Sequence, residues 1–110
     1  MPSIDVREYL DLGGRSPFAA WFNSIGASAA AKVAAALYRL EAGNFSNVKG
    51  VGQGVLERKI DFGPGYRVYF AKNGESLVIL LGGSGKRRQG EAIAAAKERC
   101  VDYKKRKAIR

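Results

Sequence analysis

Between residues 54 and 83 the chain reads as three short strands, and no other part of it limits the possible folds so tightly. "GVLERKIDF", "YRVYFAK" and "SLVILLGG" are rich in β-branched and aromatic residues, which suit a pleated, half-buried surface. "GPG" joins the first pair, and Asn73-Gly74, a strong short-range hairpin signal, joins the second. The pattern predicts an antiparallel three-stranded meander. Its third strand, Leu77 to Leu81, is continuously apolar, as expected of a central strand covered on both faces.

The flanks supply the other elements. Residues 3–9 alternate weakly and predict a first strand. Ser16 as N-cap with Pro17 at the first helical position opens a short helix, "FAAWFNSI", which stops at Gly26. Ser28 is expected to cap a second helix to Ala42, ended by Gly43. Ala29, Val33, Ala36, Leu37 and Leu40 give that helix one apolar face. "GVGQG" at 50–54 reads as a flexible loop. From Glu91 to about Lys107 a helical pattern resumes through Ile93, Ala96, Cys100 and Tyr103. At 110 residues this is the size of one domain, spanning 1–110. The fold class is α+β, in the order β-α-α-β-β-β-α, with the helices packed on the sheet.

Alternation assigns faces. Arg67 and Tyr69 are two apart and share one face of their strand, with Tyr66, Val68 and Phe70 on the other, core-facing side. In the preceding strand Leu56, Ile60 and Phe62 share the core face, while Glu57, Lys59 and Asp61 take the other. Superposing the polar faces makes Lys59, Arg67 and Tyr69 a patch on an exposed sheet surface. "GGSGKRRQG", residues 82–90, then becomes a loop that could close it with Lys86 and Arg88. Arg58 falls on the apolar face, which suggests a bulge or an edge position. Cross-strand pairing of Glu57 with Arg67 is the purely structural account of the same residues.

Charge adds a direction. The chain carries 19 Lys and Arg against 10 Asp and Glu, a net charge of +9. From residue 86 onward ten basic and three acidic residues give +7, leaving +2 for the first 85. Such a concentrated basic segment is the footprint of a polyanion binder, and its locality favours nucleic acid over a merely solvated helix face. Arg87, Gln89, Lys104, Lys105, Arg106 and Lys107 are its candidate nucleic-acid contacts.

Other chemistries are excluded as they are usually built. With no His and one Cys, there is no zinc site, Ser-His-Asp triad or Cys-His pair, and no metal or cofactor is expected. A single Cys asks for no oxidising compartment. "MPSIDVREYL" has neither the basic nor the apolar region of a signal peptide, and no apolar run approaches the ~18 residues of a membrane span. A cytoplasmic protein is expected. "DFG" at 61–63 matches a kinase metal-binding tripeptide, but the chain is too short for a kinase and the tripeptide sits in a turn. "GVGQG" lacks the spacing of a dinucleotide loop and precedes a strand. Gly85-Lys86 is followed by Arg87 where a P-loop needs Ser or Thr.

Taken together, "ERKIDFGPGYRVYF", "LVILLGGSGKRRQ" and "AIAAAKE" resemble the RelE/ParE superfamily of toxins from bacterial type II toxin–antitoxin modules. The resemblance is nearest to the HigB-like branch called addiction-module killer proteins. It runs from the first strand through "WF" to the last helix. Gly63, Pro64, Gly65, Tyr66, Arg67 and Tyr69 match the pattern, as do Gly82, Gly83, Lys86, Arg88 and Gln89; position 59, often Arg there, is Lys, which loses a two-pronged phosphate contact.

The resemblance implies a small toxin restrained by a cognate antitoxin, a helix-turn-helix protein, and acting on mRNA at the ribosome. ParE-like members instead inhibit DNA gyrase without cutting nucleic acid, and a non-toxic nucleic-acid-binding module is the third alternative. For RNA cleavage, the ribose 2′-OH attacks its adjacent phosphodiester while cations stabilise the growing charge. Lys59, Arg67, Tyr69, Lys86 and Arg88 are the candidate catalytic residues. Tyr69, its pKa lowered by nearby cations, and Glu57 are the candidate bases.

Overall fold

The computed structural model describes residues 3–109, with side chains through Lys107; Met1, Pro2 and Arg110, one of the ten basic residues of the charged segment, lie outside them. The elements are β1 (Asp5–Glu8), α1 (Pro17–Ser24), α2 (Ala27–Glu41), β2 (Val48–Gly52), β3 (Val55–Ile60), β4 (Tyr66–Lys72), β5 (Leu77–Gly85) and α3 (Gln89–Ile109). The class is α+β, as expected, with one strand more than the sequence predicts. The sheet order is β1-β5-β4-β3-β2. β1 runs parallel to β5 and every other neighbour is antiparallel. The predicted meander is β3-β4-β5.

The added strand is β2, in the stretch expected to be a loop. Gln53 and Gly54 both take positive φ, 54° and 82°, the geometry of the tight hairpin turns that match strand twist. "GVGQG" is therefore an edge strand and its turn. β2 also gives Arg58 an ordinary place: it pairs in register with Val48 and Val68, neither at a bulge nor at an edge. Its guanidinium is buried on the α2 side of the sheet and donates from Nη1 to the Asn44 carbonyl at 3.2 Å.

Helix ends follow local chemistry. Ser16 caps α1, its Oγ accepting from the Ala19 N–H at 3.0 Å. α2 starts two residues earlier than expected: Gly26, not Ser28, is its N-cap, with no side-chain capping bond. At its other end Gly43, at φ 85°, donates to the Leu40 carbonyl, and Asn44 donates to Arg39, a Schellman closure.

Two cores sandwich the sheet. Phe18, Val33, Leu40, Val68, Phe70 and Leu80 pack between the sheet and α1 with α2. Tyr69, Ala71, Ile79, Leu81, Ala96 and Cys100 pack between the sheet and α3. The face of β4 assigned to solvent thus lies under α3. Among the described residues no helix is long and apolar enough to cross a membrane.

Candidate functional site

The register of β3 and β4 sets Glu57 opposite Tyr69 and Lys59 opposite Arg67, so the predicted face is the real one. Its exposure is not. Glu57 is 2% exposed, Arg67 7% and Tyr69 1%. Of the patch expected at the surface Lys59 is exposed, whereas Arg67 and Tyr69 lie with Glu57 in a buried polar cluster, because α3 begins directly over them.

Glu57 organises the cluster. Its Oε2 accepts from Gln89 Nε2 at 3.1 Å, and its Oε1 lies 3.9 Å from both Lys49 Nζ and Arg67 Nε. Arg67 Nε and Nη1 are buried without a hydrogen-bond partner among the described residues. Buried donors left unpaired are costly, and a guanidinium carries five in a rigid fork suited to phosphate or carboxylate.

Above the cluster lie two adjoining clefts. One, of about 330 Å³, is lined by Lys59, Asp61, the turn from Phe62 to Gly65, Arg67 and Lys86. The other, of about 290 Å³, shares Lys59, Asp61 and Arg67 and adds Lys49 and Glu57. Lys59 is partly neutralised by Asp61, with Nζ to Oδ1 at 3.5 Å. Four cations face two carboxylates here, so the opening favours an anion.

Tyr69 does not fit the role of an activated base. Its hydroxyl shares a 3.1 Å hydrogen bond with Ser84 Oγ. Burial pushes the phenol above its usual pKa, outweighing the lowering by Ser84. The expected lowering by neighbouring cations is reversed.

The 82–90 segment is not a loop either. β5 continues through Gly85, and only Lys86 to Arg88 turn before α3. Its first two glycines make room for side chains. A Cβ on Gly83 would come within 2.2 Å of the Trp21 ring, and one on Gly82 within 2.7 Å of Arg99 Nη1.

No family model matches the chain. An uncharacterized protein of Haemophilus influenzae is 42% identical to it over 81 residues, 73% of this chain and 82% of that protein. The chain belongs to that protein's family. The Haemophilus relative assigns no chemistry, so the site rests on geometry.

Of the predicted residues, Lys59, Arg67 and Lys86 share one cleft. Arg88 lies elsewhere, lining a pocket beside Trp21, with Nη1 3.9 Å from Glu91. Arg87 is exposed in the turn. Gln89 is turned inward on Glu57 and is not a surface contact. Lys104, Lys105 and Lys107 are exposed, but seventeen residues of helix separate Gln89 from Arg106, roughly 25 Å at 1.5 Å per residue. Lys107 Nζ donates to Asn73 Oδ1 at 2.6 Å. Arg106 is spent structurally: it binds Asp102 at 2.6 Å, donates to the Leu10 carbonyl and lies over the Tyr9 ring. Lys49 and Ser84 were missed. Lys49 sits on the unpredicted strand, and Ser84 on strand read as loop.

Proposed function

We propose that this protein is the toxin of a bacterial type II toxin–antitoxin module, a RelE/ParE-like, ribosome-dependent mRNA endonuclease. The observation that carries this is the buried Arg67 guanidinium, two of its donors unpartnered, at the floor of a cleft ringed by Lys59 and Lys86. A phosphodiester entering the cleft supplies the missing acceptors. As the 2′-oxygen bonds to phosphorus and the bond to the 5′-oxygen breaks, the added negative charge falls on phosphoryl oxygens beside Arg67, Lys59 and Lys86. Glu57, held by Gln89 and facing Arg67, accepts the 2′-OH proton, and the 5′-oxygen takes one from water or Lys86. A ribosome that orients the mRNA makes modest acid–base machinery sufficient.

The protein acts in the cytoplasm, and its cognate antitoxin covers basic surface with an acidic segment. Induced expression without a partner, followed by mapping of mRNA 5′ ends, tests the reading. Growth arrest with new 5′ ends inside coding regions, abolished by Arg67→Ala, is expected. Arrest with intact mRNA and damaged DNA would point to gyrase instead, and the absence of any arrest would refute the toxin.

A further inference from the structure

The geometry points to a nucleobase subsite beside the phosphate cleft, in the pocket of about 380 Å³ between α1 and α3 that Trp21, Gly83, Ser84, Gly85, Arg88 and Arg99 help to line. The inference rests on RNA being the substrate and goes further, naming where the nucleotide next to the reacting phosphate places its base.

Four features converge. β1 pairs with β5 only from Leu77 to Leu80, so the β5 segment beyond it has one edge unpaired by any strand among the described residues. Its backbone groups can hydrogen-bond the edge of a base, and one carbonyl there, Leu81, already accepts from Arg99 Nη1 at 2.8 Å. Trp21 is half-buried, braced by Phe18 and Tyr66 at centroid distances of 5.9 and 6.5 Å. It is laid so closely on Gly83 that no larger residue fits there. A fixed indole and two guanidinium groups make a stacking surface for a base. The remaining lining from α3 is Glu91, whose carboxylate lies 3.9 Å from Arg88 Nη1, and Ala92 and Ala95, whose small side chains leave the space open.

The pocket also communicates with the phosphate cleft. Gly85 lines the pocket and Gly65 lines the cleft. A Cβ on Gly85 would be 3.9 Å from the Gly65 carbonyl, and Tyr66 pairs with Gly85 across the strands. The lip between the two sites is therefore backbone. A single strand can cross it with its phosphate on Arg67 and its base on Trp21. Sequence-tolerant stacking of an unpaired base is how single-stranded RNA is commonly held.

Trp21 is the chain's one tryptophan, so its fluorescence reports the pocket directly. A fluorescein-labelled oligoribonucleotide with 2′-O-methyl groups, which cannot be cleaved, is titrated by anisotropy, and the unlabelled oligomer by Trp fluorescence. The indole should be quenched over the same concentration range as the anisotropy rises. Ala95→Leu, which fills the pocket, and Arg99→Gln, a second variant should the first not fold, should each weaken binding about tenfold and reduce the quenching. Lys86→Gln should weaken binding while leaving the quenching at saturation intact. Binding without quenching, and unaffected by either pocket variant, would overturn the subsite and leave RNA as the substrate. No binding by anisotropy at any accessible concentration would also overturn the subsite, whereas RNA as the substrate of ribosome-dependent cleavage is read separately from the mapped mRNA 5′ ends.

Discussion

Arg67 Nε and Glu57 Oε1 face each other at 3.9 Å across adjacent strands, both side chains buried, and do not hydrogen-bond. Their attraction holds the guanidinium at the cleft floor while leaving its donors free. The pair therefore serves stability and function together. Arg67→Ala should slow cleavage by about 2–4 kcal/mol of barrier, the effect of losing one preorganised charge-stabilising donor. It should also lower stability by up to about 3–5 kcal/mol, because it strands a buried carboxylate. Arg67→Lys keeps the charge and should recover much of the stability but little of the rate. Thermal melts beside single-turnover cleavage on ribosomes read both, and an Arg67→Lys variant with full activity would remove the guanidinium from the chemistry.

Tyr69 is placed for structure. Its buried phenol carries a pKa above the usual 10.0, so the folded chain holds this proton more tightly than the unfolded one. The resulting stability is complete below about pH 10, the unfolded value, and is lost as pH rises through the folded pKa. Tyr69→Phe should make melting temperature less sensitive to alkali at a cost of about 1 kcal/mol for the hydrogen bond to Ser84. Cleavage near neutrality should survive. A Tyr69→Phe protein that is folded and inactive would restore the tyrosine as a catalytic group.

Gly83 is required by Trp21. Gly83→Ala forces a methyl into ring carbons 2.2–2.5 Å away, where the α1 side of the core must give. Overpacking of this kind costs roughly 1–3 kcal/mol. Chemical denaturation should show the loss, and the double variant with Trp21→Leu should recover part of it. Gly63→Ala, with nothing within 4 Å of its Cβ but a φ of 57°, should cost only the strain of the left-handed backbone.

The exposed lysines at the far end of α3 should act through long-range attraction. Lys104→Gln with Lys105→Gln should reduce the salt dependence of binding to long RNA, since fewer phosphates are neutralised and fewer counterions released. Cleavage of bound substrate should be unchanged, because the site lies at the other end of the helix. An unaltered salt slope would show that these lysines do not meet the polyanion.

Local pattern by itself determined most of the elements. Alternation in β3 and β4 put Glu57, Lys59, Arg67 and Tyr69 on one face, because the side-chain period of a strand is independent of its neighbours. Ser16, Pro17 and Gly43 marked helix ends through backbone groups that are equally local. β2 escaped because its glycines carry no hydrophobic alternation; only pairing with β3 makes it a strand. The Gly82-to-Gly85 run read as a loop for the same reason, although Trp21 and Arg99 fill the space its first two glycines leave. Burial was beyond local reach. Whether Arg67 and Tyr69 face water depends on what lies over the sheet, and α3, arriving from the end of the chain, covers them and turns Gln89 inward onto Glu57. Period and turn chemistry are written in neighbouring residues, whereas exposure, and with it the ionisation of Tyr69 and the poise of Arg67, belongs to contacts between segments far apart in the chain.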